Sequence, residues 1–229
     1  MSRILLCDDD REIVDAIAIY LEREGYDVVK AYDGDEALSI IENDTIDLLI
    51  IDVMMPKLGG VEATFKIRQD NNLPIIILSA KSEDRDKIFG LRVGADDYVT
   101  KPFNPMELMA RVQSQLRRST VLNQSADDRS EIYRKGGLVL NDSSREVTVD
   151  GREVKLTGME YQILRLLIKN RGRTFTSDEI YETVWDVDAL GSSNVVAVHI
   201  RHIREKIEID PKKPQYIQVV WGVGYRIDK

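Results

Sequence analysis

The sequence predicts an α/β protein in two parts: a doubly wound, five-stranded parallel sheet, then a smaller α+β domain. Two observations carry this. In the first half, five short apolar runs alternate with helix-like segments, and strict alternation of strand and helix makes a parallel sheet with helices on both faces. The second half opens on short alternating strands with turn signals, continues in helical periodicity and closes on a hairpin pattern.

The strands of the first half are expected near 3–7, 26–31, 46–51, 74–79 and 96–100. Runs such as Ile4-Leu5-Leu6-Cys7 and Leu48-Leu49-Ile50-Ile51 are apolar on successive residues, the pattern of a strand buried on both faces. Helices are expected at Arg11–Glu24 (stopped by Gly25), Asp33–Asn43, Gly60–Asp70, Glu83–Val93 and Pro105–Arg118. The polar stretch 119–135, STVLNQSADDRSEIYRK, lacks apolar periodicity. It reads as a linker, with a further turn or two of the preceding helix as a compatible alternative. The expected division is therefore 1–118, a linker at 119–135, and 136–229.

Composition is that of an ordinary globular protein: 43% hydrophobic and 31% charged residues. No apolar run approaches the roughly 20 residues that span a bilayer, and MSRILLCDDD lacks the shape of a signal peptide. The expected location is cytoplasmic, with no membrane partner. The lone Cys7 allows no intramolecular disulfide and reads as a small buried hydrophobe. The net charge of −8 belongs entirely to residues 1–118, whereas residues 136–229 balance to zero. Any nucleic-acid contact in the second domain must then come from a local basic face.

The chemistry lies at the strand ends. Asp8, Asp9 and Asp10 follow the first strand, Asp52 the third, Ser79 the fourth and Lys101 the fifth. In open α/β sheets, ligands bind beyond the C-terminal ends of the strands. Carboxylates crowded there resist full ionisation, and a hard cation such as Mg2+, which takes oxygen ligands, relieves the repulsion. An ionised carboxylate beside such a cation can attack phosphorus. Lys101 can then meet the phosphoryl charge, and the Ser79 hydroxyl can donate to its oxygens. Capping of a helix is the competing role for Asp8 to Asp10.

With these residues, segment 3–118 resembles the receiver domain of bacterial response regulators. The resemblance implies a flavodoxin-like strand order, 2-1-3-4-5. It assigns Mg2+ binding to Asp8, Asp9, Asp52 and the Met54 backbone carbonyl, and phosphoryl acceptance to Asp52. Ser79 and Tyr98 become the switch residues and Lys101 the phosphate contact, with a cis Lys101–Pro102 bond. It also implies a two-fold dimer upon phosphorylation, through the intersubunit pairs Lys87–Glu107, Asp97–Arg111 and Asp96–Arg118.

In the second domain, LVLNDSSREVTVDGREVKLT reads as a short antiparallel sheet. Thr157, with Glu160 three residues on, forms a capping box for a helix whose apolar face is Tyr161, Leu164, Leu167 and Ile168. A second helix follows Thr176-Ser177, with Ile180, Tyr181, Val184 and Trp185 inward. A third spans about Ser193–Ile209 and turns Val195, Val198 and Ile203 inward. It carries Asn194, Ala197, Arg201, His202, Arg204 and Lys206 elsewhere. Tyr216–Val220 and Tyr225–Ile227, around Gly222-Val223-Gly224, read as a hairpin. This order describes a winged helix-turn-helix, whose long helix can enter the major groove. A solvated amphipathic helix is the bland alternative.

LTGMEYQILRLLIKNRGRTFTSDEIYETVW, VAVHIRHIREKI and WGVGYRI resemble the effector domain of OmpR/PhoB-type response regulators. The resemblance implies base reading by Arg201, His202 and Arg204, phosphate contact by His199, and further contacts from Asn194, Lys206, Trp221 and Arg226. It implies RNA polymerase contact through the loop between the second and third helices. Trp221 stands where the wing often carries arginine. Packing into the core is its favoured role, contact to sugar and phosphate the other.

The implied function is a DNA-binding transcriptional regulator. A sensor histidine kinase phosphorylates Asp52, the receiver dimerises, and paired direct-repeat half-sites of promoter DNA are bound. An atypical regulator independent of phosphorylation is the alternative. A phosphatase with an aspartate nucleophile would need a second acid two residues on, where Met54 stands. A winged helix serving protein contact alone would show no salt-dependent DNA affinity.

Overall fold

The computed structural model describes residues 1–80, 94–124, 131–186 and 193–229. The chain divides into two compact units, Met1–Thr120 and Val121–Lys229.

The first unit holds β1 (Arg3–Cys7), α1 (Arg11–Arg23), β2 (Asp27–Ala31), α2 (Gly34–Asn43), β3 (Leu48–Asp52), α3 (Gly60–Asp70), β4 (Ile75–Ala80), β5 (Asp97–Lys101) and all but the last four residues of α4 (Pro105–Gln124). All strand pairs are parallel, in the order β2-β1-β3-β4-β5. Alternation along each strand splits the apolar runs between the faces. Ile4, Leu6, Leu48, Ile50, Ile76 and Leu78 pack with Val14, Ile17 and Leu21 of α1 and Leu108 and Val112 of α4. Their neighbours Leu5, Leu49, Ile51, Ile75 and Ile77 are equally buried, as are Ala37 of α2 and Ala63 and Ile67 of α3. Burial on both faces is why these runs show no polar alternation.

Three strands run one residue further than expected, so Asp52 and Lys101 lie within their strands rather than after them. The helix expected at 83–93 falls outside the described residues. The loop after β3 lies close against the strand end. A Cβ at Gly60 would sit 1.9 Å from the Asp52 carbonyl oxygen, so only glycine allows that approach.

The second unit holds an antiparallel sheet, β6 (Ile132–Lys135), β7 (Leu138–Asn141), β8 (Glu146–Val149) and β9 (Arg152–Glu153), paired in that order. Three helices follow: α5 (Gly158–Lys169), α6 (Ser177–Trp185) and α7 (Ser193–Ile207). A hairpin, β10 (Ile217–Val220) and β11 (Gly224–Ile227), closes it. Asp150 and Gly151 both take positive φ in the β8–β9 turn, as a tight two-residue hairpin requires. The stretch 119–135 needs correction as a linker. α4 continues to Gln124, and residues 132–135 form β6, because Ile132–Lys135 pair with Leu138–Asn141. Residues 125–130 lie outside the described residues.

Both α5 and α6 begin with full capping boxes, Thr157 with Glu160 and Thr176 with Glu179. The apolar residues expected on each helix are buried, and Trp185 stacks on Tyr181 with ring centroids 4.7 Å apart. A bridge between Phe175 and Tyr225 ties the hairpin to the segment leading into α6. Among the described residues, no helix is long and apolar enough to cross a membrane.

Candidate functional site

Parallel register brings the acidic strand ends together. Cys7 pairs with Ile51, and Asp52 pairs with Leu78, so Asp8 and Asp52 emerge side by side at one edge of the sheet. One carboxylate oxygen from each of Asp8, Asp9 and Asp52 lies within 4.8 Å of the other two. Asp8 and Asp52 are buried, while Asp9 is exposed. Asp10 does cap α1, accepting from the Glu12 and Ile13 N–H groups, so the competing role holds for that aspartate.

Lys101 reaches into the cluster from β5, its Nζ 2.5 Å from Asp8 Oδ2 and 2.7 Å from Asp52 Oδ1. The remaining oxygens are held by backbone: Met54 N–H donates to Asp52 Oδ2 at 2.8 Å, and Asp10 N–H to Asp8 Oδ1 at 3.0 Å. Burial pushes the Asp52 carboxyl above its ordinary value, although Lys101 pulls the other way. Burial alone would lower Lys101, but its hydrogen bonds to Asp52 and Asp8 outweigh that and raise it. Three carboxylates thus face one ammonium, and an exposed acid keeps the cluster open. The donor set suits a hard divalent cation held by oxygen.

Ser79 is buried on β4, in register with Thr100. Tyr98 is partly buried on β5, the Lys101–Pro102 bond is cis, and Met54 is 71% exposed. Asp52, Ser79 and Lys101 therefore share one edge of the sheet, on β3, β4 and β5, whereas Tyr98 lies near the start of β5, in register with Ile77.

Within a single chain, residues of the expected intersubunit pairs have partners of their own. Arg111 bonds Asp97 through both carboxylate oxygens, at 2.8 and 3.1 Å, within one chain, and it also pairs with Glu107. Asp96 is buried and held by Arg68 at 2.5 Å and by the Ile75 N–H. A carboxylate this deeply buried must find its partner inside the fold. Lys87 and the side chain of Arg118 lie outside the described residues. Sequence inspection missed Arg68, because its partner lies 28 positions away and no local pattern marks it.

The candidate DNA-binding face is narrower than expected. On α7, Ala197 and Arg201 are exposed, with Arg201 paired to Glu205 at 2.7 Å. His199 is buried at 2% exposure, its ring 5.4 Å from that of Trp185, which excludes the expected phosphate contact in this fold. His202 is mostly buried, and burial lowers its pKa. Arg204 donates to the Ile217 carbonyl oxygen at 2.7 Å, and Lys206, which is exposed, donates to Glu160 at 2.6 Å. The side chain of Asn194 and the loop 187–192 lie outside the described residues. Arg226 pairs with Asp228 in the hairpin. Trp221 does not pack into the core: it is 91% exposed at the hairpin tip, beside Gly222 at φ +73°.

Two predictions follow from this geometry. A carboxyl whose folded pKa is raised costs nothing below its unfolded value of 3.8. The cost grows as pH rises and is complete above the folded pKa. Asp52→Asn should therefore raise the thermal midpoint of the metal-free chain at pH 7, with the gain vanishing as pH falls below 3.8. A lower midpoint at pH 7 would contradict that electrostatic account. On α7, His199→Ala should cost about 2–4 kcal/mol in denaturant unfolding by emptying a buried aromatic site. Arg201→Ala should leave stability within about 0.5 kcal/mol.

Two families match the chain: response regulator receiver domain over residues 4–113, and transcriptional regulatory protein, C terminal, over residues 151–227. The regulatory protein VanRc of Enterococcus gallinarum is 44% identical over 229 residues, covering 100% of this chain and 99% of its own length. VanR of Enterococcus faecium is 42% identical with the same coverage. The crystal structure of DrrB, an OmpR/PhoB homologue from Thermotoga maritima, is similar over 100% of both chains, at 33% identity and a TM-score of 0.52. The chain belongs to the OmpR/PhoB-type two-component response regulators, transcriptional regulators that join a receiver to a DNA-binding domain.

Proposed function

We propose that Asp52 accepts a phosphoryl group from a sensor histidine kinase and that this drives receiver dimerisation and promoter binding. The observation that carries the reading is the buried Asp52 carboxylate, clustered with Asp8 and Asp9 and met by Lys101 at 2.7 Å. Met54 N–H occupies Oδ2, which leaves Oδ1 as the attacking oxygen. In the transfer, Oδ1 bonds to phosphorus, the phosphorus–nitrogen bond of the donor phosphohistidine breaks, and the imidazole leaves. Asp8, Asp9 and Asp52 would hold Mg2+, with the Met54 carbonyl as a further ligand. The ion would neutralise the charge on the phosphoryl oxygens. Lys101, already aimed at Oδ1, exchanges its carboxylate contact for a phosphoryl oxygen. Ser79, one strand over, donates to another, and Tyr98 on the adjoining strand responds.

Phosphorylation then shifts a pre-existing equilibrium toward the dimer. Holding two effector domains together raises their effective concentration on paired half-sites. Arg201 and Ala197 form the base-reading face of α7, an arginine for guanine and a small side chain beside a thymine methyl. The exposed Trp221 meets the sugar-phosphate edge. The loop 186–192 is the candidate contact for RNA polymerase, and the working compartment is the cytoplasm.

The test is solution mass by light scattering, with Mg2+ and beryllofluoride as phosphoryl mimic. Wild type should pass from monomer to dimer, and Asp52→Ala should stay monomeric. A wild-type mass that ignores the mimic, or a variant that dimerises with it, would contradict the proposal.

A further inference from the structure

Glu160 stands apart among the acidic residues of the second unit. The Thr157–Glu160 and Thr176–Glu179 boxes have the same chemistry: each glutamate accepts from the backbone N–H of its threonine at 2.8 Å. The Glu179 side chain does this while 43% exposed, pairing with Arg173 at the surface. The Glu160 side chain does it at 3% exposure. Capping therefore does not require a buried carboxylate, and burying one is costly unless it is paired.

The partners come from the DNA-facing helix. Lys206 Nζ donates to Glu160 Oε2 at 2.6 Å, the oxygen that also takes the Thr157 N–H. His202 Nδ1 lies 3.9 Å from Oε1. His202 and Lys206 are four apart on α7 and so share one face. Arg201 and Glu205 form the exposed pair one residue earlier on each turn. Each helical residue turns the face by about 100°. A grip on residue 206, with His202 packed alongside, therefore sets the direction in which 197 and 201 point. In some proteins buried ion pairs serve to specify one arrangement rather than to add stability.

We infer that Glu160 is a positioning residue for DNA recognition, setting the rotation of α7 through Lys206, and that Lys206 serves DNA binding through this contact rather than by touching phosphate. The inference rests on the DNA-binding reading of α7.

Glu160→Gln keeps the capping hydrogen bond, since the amide oxygen can accept from Thr157, and removes only the charge. Lys206→Met keeps the aliphatic stem and provides a second route should the first variant fold poorly. The probe is a duplex enriched from a randomised pool by the wild-type full-length chain, measured against the unselected pool. Each variant should lose roughly five- to tenfold in affinity for the selected duplex, and the double variant no more than either alone. Affinity for the pool and the salt slope should hold, and Glu179→Gln should leave all three values unchanged. A Lys206→Met that weakens both duplexes alike and lowers the salt slope by about one would make Lys206 a phosphate contact and overturn the inference. So would additive losses, or a fall in thermal midpoint with no change in the selected-to-pool ratio. A wild-type chain that enriches no duplex would instead overturn the DNA-binding reading itself.

Discussion

Parallel pairing of β3 with β1 and β4 places the Asp52 carboxylate beside Asp8 at one edge of the sheet, and the chemistry of the first unit depends on that register. Two buried acids held this close repel, and among the described residues the fold offsets the repulsion with Lys101, from a strand two places away from β3. Gly60 closes the loop against the Asp52 carbonyl, and the Met54 N–H fixes one carboxylate oxygen. Asp52 is thus held in one orientation, with one oxygen beside a cation, before any ligand arrives. Preorganised electrostatics of this kind are usually the largest single contribution to transfer chemistry.

The second unit applies the same constraint differently. Its buried carboxylates join elements rather than hold a ligand. Glu208 accepts three backbone N–H groups, from Gln215, Tyr216 and Ile217, and so anchors the approach to the hairpin. Asp142 accepts from Tyr161 and Arg165 and ties the four-stranded sheet to α5. Glu160 links α5 to α7. Such contacts brace the interior of the unit and leave Arg201 and the hairpin tip at the surface.

How much was legible in the sequence follows the range of each interaction. Strand ends were readable, because an apolar run ending in aspartate is a local pattern, and Asp8, Asp9, Asp52, Ser79 and Lys101 all lie at one edge. The Thr157–Glu160 box was equally local. Contacts set by distant pairing were not readable. Asp97 and Arg111 carry complementary charges that suit a neighbouring molecule, and their contact within one chain, 14 positions apart, could not be read from local pattern. His199 looked polar enough for phosphate, yet it packs beside Trp185 on the inward face shared with Val195, Val196 and Ile203. Trp221 looked apolar enough for the core, but a two-stranded hairpin has no interior at its tip. Strand β6 escaped notice because Ile132 and its neighbours are too few and too polar to show alternation without their partner strand.

The central claim is that Asp52 is the acceptor, and the direct test is intact mass followed by peptide mapping after treatment with a small-molecule acyl phosphate and Mg2+. The expected result is the gain of one phosphoryl group, labile to both strong acid and base, confined to the peptide that contains Asp52. A phosphoryl group mapped to any other residue, or a chain that gains none while its Mg2+ site is filled, would contradict it.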